Sequence, residues 1–404
     1  MNFLEKAIKF GGGVILAQLI TAASVPLLSR LYSPEEFSLF GLYFSLSAIL
    51  VAFVTLKLET LLPKEDDIEK VLPVINTVAI IMFLPLTVIT FFTLSLIGGK
   101  GSVGNIIWSI LIVLAATTFN MFNTINILNV RENKLKLVNI VRMGRSLFSV
   151  VFQLLLYWMK GGLFLGEVLG RILGLIFLSK KKYYIVSFVE AKKMIITRLN
   201  YIKYVVSASF LNTLGLNLYP IVVLKFYDPI LVGKFFFVQK LLSAPVTIFA
   251  QSISIALLGD FNKIIKTDKN ELIKKIHKIS LVFFLGGAIL FLILGLILKK
   301  YESIIFGDNW SGIFVFVFVL LPFLVGQTAF SPFSQLLVLT GGERKQLKWD
   351  IIRLILILLS IFLPILLDFN NKFFVSLALY SIFNFFMYLY HYYMVISLIR
   401  RFEV

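Results

Sequence analysis

The chain has 404 residues, of which 59% are apolar or aromatic and only 15% charged, and its mean hydropathy is +0.94. Soluble domains carry about 45–50% apolar and about 25% charged residues, so this composition belongs to a multispanning membrane protein. The lack of cysteine excludes disulfide frameworks, cysteine–zinc and iron–sulfur centres and thiol catalysis. Two histidines, His277 and His391, are too few for a histidine metal site, and no metal is expected.

Apolar runs of spanning length fall at 10–30, 38–60, 71–97, 105–129, 138–159, 161–179, 201–224, 230–258, 277–298, 312–340, 350–368 and 373–399. At about 20 residues per crossing, twelve transmembrane helices use roughly 240 positions and leave too little chain for an appended soluble domain. Lys6 and Lys9 ahead of a small-residue apolar stretch resemble a signal peptide, but Gln18, Thr21 and the continuation to Arg30 favour an uncleaved first span.

A net charge of +18 would point to nucleic acid in a soluble protein, whereas in a membrane protein it first reports topology. Counted on alternate sides, 29 of the 39 Lys and Arg lie on the side of the N-terminus and eight on the other, while Arg171 and Lys240 fall deep inside spans. Both termini are therefore expected in the cytoplasm. Topology alone requires such a split over short segments, so no nucleic-acid partner is expected. Two long connections, Ser179 to Asn200 and Gly259 to Ile276, are basic with apolar residues interleaved and read as interfacial helices. The first divides the chain into an N-terminal six-helix lobe (1–179), a basic amphipathic linker (180–200) and a C-terminal six-helix lobe (201–404).

The halves echo each other. Arg30-Leu31-Tyr32-Ser33-Pro34 after the first span matches Lys225-Phe226-Tyr227-Asp228-Pro229 after the seventh. Glu132-x-Lys134 followed by Arg142 matches Glu343-x-Lys345 followed by Arg353. An even number of spans per half makes both copies enter the membrane in the same direction. The pseudo-two-fold axis is then expected along the membrane normal, with a central cavity between two bundles.

Charges inside hydrocarbon cost at least about 2.5–3.5 kcal/mol each, so they mark wet cavities or partners. Arg171 lies mid-span in the sixth helix with Glu167 one turn before it, either a self-neutralising pair or a substrate or proton site. Lys240, about 15 Å into the eighth span, has no acid within one turn, and its repeat equivalent is Ser45. Arg142 and Arg145 lie in the first two turns of the fifth span, where they either snorkel to headgroups or enter the cavity, and snorkelling is favoured for them and for Arg353. Lys57 and Glu59, near the inner end of the second span, point in different directions at a spacing of two; Glu59 is a candidate protonatable site. Asn120, Asn123, Asn126 and Asn129 make a polar ribbon on the fourth span. Ser209, Asn212, Thr213 and Asn217 form a face of the seventh, and Gln18, Thr21 and Ser24 of the first. Such ribbons glue helices together or line water. Both histidines are expected in interfacial packing.

These residues carry a resemblance. Pro26 through Phe37 (Pro-Leu-Leu-Ser-Arg-Leu-Tyr-Ser-Pro-Glu-Glu-Phe), Lys57-Leu58-Glu59, Gly233 through Pro245, and Phe306-Gly-Asp-Asn-Trp310 resemble Wzx-type O-antigen flippases. These belong to the polysaccharide-transporter branch of the multidrug/oligosaccharidyl-lipid/polysaccharide exporter superfamily. Ser38 departs from the glycine the family often has after Glu-Glu-Phe. The resemblance implies an all-α transporter, not an enzyme, in the bacterial inner membrane. It would move a polyprenyl-pyrophosphate-linked glycan from the cytoplasmic to the periplasmic leaflet by alternating access. Lys240, Arg142, Arg145 and Arg171 would contact the pyrophosphate, and Asn120, Asn123, Asn126, Asn212, Asn217 and Gln18 the glycan. Glu59 or Glu167 would be the coupling acid. No cofactor is expected beyond a proton or sodium gradient. Partners would be the lipid-linked oligosaccharide, the phospholipid bilayer, and the polymerase and chain-length regulator of the same pathway. Two rivals stay open: a cation- or proton-coupled drug or metabolite antiporter of the same superfamily, and a glycosyltransferase or polymerase acting on lipid-linked sugars.

Overall fold

The computed structural model describes residues 3–63, 68–98, 103–178, 185–243, 246 and 269–401. Among these residues there are helices and no strands, as expected where every backbone polar group must be satisfied within its own segment. The long helices are α1 (Phe3–Leu31), α2 (Pro34–Val54), α3 (Ile68–Gly98), α4 (Val103–Arg131), α5 (Leu135–Leu155) and α6 (Gly162–Leu178). A short α7 (Phe188–Thr197) precedes α8 (Leu199–Phe226), α9 (229–243) and α10 (Lys269–Phe306). Then come α11 (Ile313–Phe330), a short α12 (Ser334–Leu339), α13 (Glu343–Leu366) and α14 (Lys372–Arg401). Nine helices among the described residues are long and apolar enough to cross a membrane; α6 and the Ile15–Leu31 part of α1 are shorter, and α9 is described over 229–243. Each expected span holds a helix where it is described, most of 244–258 lying outside the described residues, and the chain is a multi-pass membrane protein.

Three expectations are corrected. The second span ends at Val54 rather than 60: Leu56 and Lys57 take positive φ (51° and 59°), and Leu58–Leu61 forms a 3-10 turn. The run 312–340 is broken at Ser331–Phe333, where Pro332 lacks an N–H and its ring opposes continuation, so α12 is a separate short helix. The interfacial helix expected at 259–276 is continuous with the 38-residue α10 where it is described. At 1.5 Å per residue α10 is about 57 Å long, so its basic first turns extend beyond a roughly 30 Å hydrocarbon core. The first connection does carry a separate helix, α7. The Ser187 side chain caps it by accepting from the Glu190 amide, and it buries Ala191 while exposing Phe188, Val189 and Ile196.

The two echoed segments form like corners. In each, one helix ends, two residues turn, and proline stands at the first position of the next helix, where its missing N–H costs nothing.

The chain divides into two compact units. One holds Leu16–Ser24 of α1 with Glu35–Phe226; the other holds the chain up to Ile15, Val25–Pro34, and everything from Tyr227 onward. In this division α8 groups with the N-terminal helices, and α1 contributes to both units.

In the first unit the tightest pair is α5 with α6. Gly166, Gly170 and Gly174 recur every four residues, and a Cβ on them would run into Gln153, Ser149 and Arg145 respectively, also four apart on α5. This small-residue stripe lets the backbones approach, as membrane helices do when hydrophobicity gives no drive between them.

The second unit is organised around Trp310, which is fully buried. Its indole stacks on Phe237 at 4.1 Å and donates to the Ser29 carbonyl at 2.7 Å. Around it Arg30 donates to the Ile304 carbonyl and Lys234 to the Ser311 carbonyl. Glu302 accepts from the Gly312 and Phe314 amides, satisfying two orphan donors where α11 begins. Gly233 packs so closely on Pro34 that a Cβ would strike its carbonyl.

Candidate functional site

Helices α5 and α6 bring three of the four expected anion contacts together. On α6, Arg171 is 4% exposed and paired with Glu167 one turn earlier at 3.0 Å. Its guanidinium lies over Phe119 of α4 and Phe44 of α2, at 4.9 and 5.7 Å. On α5, the Arg145 stem packs against Gly174 and its guanidinium lies over Phe122 at 5.1 Å. Its Nε is buried and has no hydrogen-bond partner among the described residues. Arg145 stands within electrostatic reach of Glu167, Arg171 and Arg142. One carboxylate therefore faces three guanidiniums, leaving two positive charges in excess in a setting walled by aromatic rings. Beside them Ser146 bonds Thr21 at 2.8 Å and donates to the Ala17 carbonyl, tying α5 to α1.

The depth of the two α5 arginines differs from the expectation. The helix starts at Leu135 rather than 138, so Arg142 and Arg145 lie about 10 and about 15 Å from its start, in the third turn and beyond. Counted from that start they fall past the first two turns, and Arg145 is held by contacts on α4 and α6.

A second acidic site is built by the turn after α2. Because Leu56 and Lys57 take left-handed backbone, the rule that residues two apart diverge fails here, and Lys57 pairs with Glu59 at 3.6 Å. Glu59 is 3% exposed, accepts from the Thr55 hydroxyl, and takes a 3.2 Å hydrogen bond from Asn120 Nδ2. The strained turn thus aims a buried carboxylate at the amide ribbon of α4.

The remaining expected residues are more scattered. Asn120 also accepts from Thr124. Asn126 is buried with its Oδ1 unpartnered among the described residues, Asn129 is buried, and Asn123 is half-buried. On α8, Asn212 is exposed, while half-buried Asn217 donates to the Thr213 carbonyl of its own helix. Gln18 is half-buried on α1. Lys240, half-buried on α9, belongs to the second unit, and Pro245 lies outside the described residues. Ser45 is buried on α2 with its hydroxyl unpartnered among the described residues.

A buried polar network in the second unit escaped sequence reasoning. Arg353, expected to snorkel, is 2% exposed about 15 Å into α13. It donates to Asn384 Oδ1 at 2.9 Å and to the Tyr388 hydroxyl at 3.4 Å, with Trp349 and Tyr388 against its guanidinium. His391 is likewise buried, packed edge-to-face on Trp349 and sharing a 2.7 Å hydrogen bond with Gln346, which also bonds buried Asp350. His277 bonds the Tyr392 hydroxyl. The signal was present: Gln346, Asp350, Arg353 on α13 and Asn384, Tyr388, His391 on α14 each recur at helical spacing.

No family model and no curated protein matches the sequence. Solved structures do match. The lipid II flippase MurJ in an inward closed conformation aligns with a TM-score of 0.67 at 14% identity, covering 96% of this chain and 87% of that one. An inward-facing multidrug resistance MATE family transporter of the MOP superfamily gives 0.63 at 12% identity, covering 96% of each chain. A MOP superfamily transporter from Pyrococcus furiosus, whose binding pocket is described as reversed in polarity, gives 0.52 at 14% identity over 99% of this chain and 97% of that one. At such identities the likeness speaks for architecture alone: this chain has the twelve-helix, two-lobe fold of the MOP superfamily transporters.

Proposed function

We propose that the protein is a flippase that carries a polyprenyl-pyrophosphate-linked glycan, an O-antigen unit or similar, from the cytoplasmic to the periplasmic leaflet of a bacterial inner membrane. The observation that carries this reading is the buried surplus of positive charge on α5 and α6, with the Arg145 Nε unpartnered among the described residues. A guanidinium cluster matches the geometry and charge of a pyrophosphate. Lys240 would be a further pyrophosphate contact, and the amides of α4 a generic lining for sugar hydroxyls. In this reading the lobes 1–179 and 201–404 alternate around the substrate, both termini are cytoplasmic, and Glu59 couples transport to an ion gradient. The polymerase and chain-length regulator of the same pathway would be its neighbours.

The antiporter reading shares the fold, but a cation-binding pocket calls for surplus acid rather than surplus arginine. Proteoliposomes separate the two. Wild-type protein is expected to move a fluorescent polyprenyl-pyrophosphate glycan between leaflets, with Arg142→Ala/Arg145→Ala and Lys240→Ala losing that activity while still folded. Uptake of cationic dyes with no glycan movement would overturn the proposal. Collapsing the proton and then the sodium gradient tests the role of Glu59.

A further inference from the structure

The second unit carries a cavity lined by none of the residues assigned to transport above. Helices α13 and α14 are antiparallel neighbours, so the start of α13 and the end of α14 meet at one membrane surface. Between them lies a cavity of about 550 Å³ lined by Lys345, Lys348 and Trp349 from α13 and by Tyr390, Tyr393 and Arg401 from α14. No Asp or Glu lines it. Lys345, Lys348 and Arg401 are exposed, and none has an ion pair or hydrogen bond among the described residues. Topological bias explains an excess of cations at this end of the helices, but not a cavity into which three of them converge.

The walls change character with depth. Trp349 is buried and its indole N–H is already committed to the Met387 carbonyl, so its ring is a fixed floor rather than a donor. Tyr390 and Tyr393 stand at the level where amphipathic rings favour the headgroup boundary. Deeper along α13, Ile352, Ile355 and Leu359 lie on one face with 44, 52 and 45% exposure; on α14, Phe386 continues the exposed face of Tyr390 and Tyr393. A cationic mouth thus opens onto an uninterrupted apolar track toward the middle of the span.

We propose that this cavity is a binding site for an anionic phospholipid. Lys345, Lys348 and Arg401 hold the phosphodiester headgroup, and the acyl chains lie along Ile352, Ile355 and Phe386. A basic pocket between spanning helices at a membrane surface has the chemistry for this. The cavity is of the size that takes a small polar group. A zwitterionic lipid lacks its counter-charge here because no carboxylate is present to meet its ammonium, and a soluble phosphate would leave the apolar track empty.

The test uses the purified full chain in neutral detergent, with retained lipids counted by native mass spectrometry and thermal unfolding followed as lipid is added. Phosphatidylglycerol is expected to be retained and to raise the unfolding temperature, with phosphatidylcholine and inorganic phosphate doing neither. Each surface cation contributes a factor of about five, so Lys345→Gln/Lys348→Gln/Arg401→Gln should weaken phosphatidylglycerol binding on the order of 100-fold. Lys345→Arg/Lys348→Arg retains it, and so does Lys274→Gln/Lys275→Gln/Lys278→Gln on α10. If the triple variant fails to fold, the single variants carry the test through their fivefold losses. Equal protection by phosphatidylcholine, protection by inorganic phosphate alone, or undiminished binding in the variants would each overturn the proposal. None of these results depends on whether glycans are transported.

Discussion

Glu167→Gln probes the charge balance of the α5–α6 cluster directly. Glutamine keeps the shape of the side chain and an acceptor for the Arg171 Nε, so what is lost is the negative charge. At the observed 3.0 Å, two unit charges in an effective dielectric of about 20 interact by about 5.5 kcal/mol. Removing one partner of a buried pair costs about 3–5 kcal/mol net, because the other is left uncompensated. Here three arginines would stand without an acid, which places the expected loss at the upper end. Replacing both partners, Glu167→Met/Arg171→Met, returns the cluster to its wild-type excess of two positive charges and should recover most of the loss. Equilibrium unfolding in mixed micelles reads both values. A Glu167→Gln variant within about 0.5 kcal/mol of wild type, or a double variant as unstable as the single, would show that Glu167 does not neutralise the cluster. The double variant also separates the two readings of the pair. If it folds and still transports, the pair only neutralises itself; if it folds and does not transport, Arg171 or Glu167 has a further task.

Other outcomes follow from the packing. Gly170→Val should abolish a monodisperse folded species on size-exclusion chromatography, since its Cβ would overlap the Ser149 backbone, whereas Gly286→Ala, in open space on α10, should be neutral or stabilising by up to about 1 kcal/mol. Trp310→Ala should cost about 3–5 kcal/mol in mixed-micelle unfolding. Trp310→Phe keeps a ring against Phe237 but strands the Ser29 carbonyl, and should cost about 1–3 kcal/mol. Arg353→Met leaves Asp350 and Asn384 without their cation and should destabilise by about 3–5 kcal/mol. Glu59→Gln, which can still accept from Thr55 and Asn120, should fold normally while its transport no longer responds to the driving gradient.

The fold was legible because hydropathy and helix length are local properties: each apolar run holds a helix among the described residues. What the sequence hid was where the chain turns against its own hydropathy. The 38–60 run reads as one span, yet two left-handed residues at 56 and 57 end it early and make Lys57 and Glu59 partners. Pro332 did announce a break, masked by the apolar residues on either side. The cationic cluster was readable as separate residues on two helices, but its convergence depends on the glycine stripe of α6, whose four-residue spacing from Gly162 to Gly174 was visible and was not used. Arg353 shows the opposite error. A position near a basic helix start suggests snorkelling, while burial was decided by Asn384 and Tyr388 on a neighbour 31 and 35 residues away. Of the segments that carry the family resemblance, Ser29 to Pro34, Gly233 to Phe237 and Phe306 to Trp310 meet around Trp310 in the second unit, while Lys57-Leu58-Glu59 forms the turn after α2 in the first. Much of that resemblance is therefore architectural; the proposed site draws on Lys240 and Glu59 from its segments and on the arginines of α5 and α6 from outside them.

The central claim is that those arginines recognise pyrophosphate. The most direct measurement is leaflet-to-leaflet movement, in proteoliposomes, of two glycolipids that share glycan and polyprenyl chain but differ in whether a pyrophosphate joins them. The account predicts that wild-type protein moves only the pyrophosphate-linked lipid and that Arg145→Gln abolishes that preference while the protein remains folded. Equal movement of both lipids, or an unchanged preference in the variant, would contradict it.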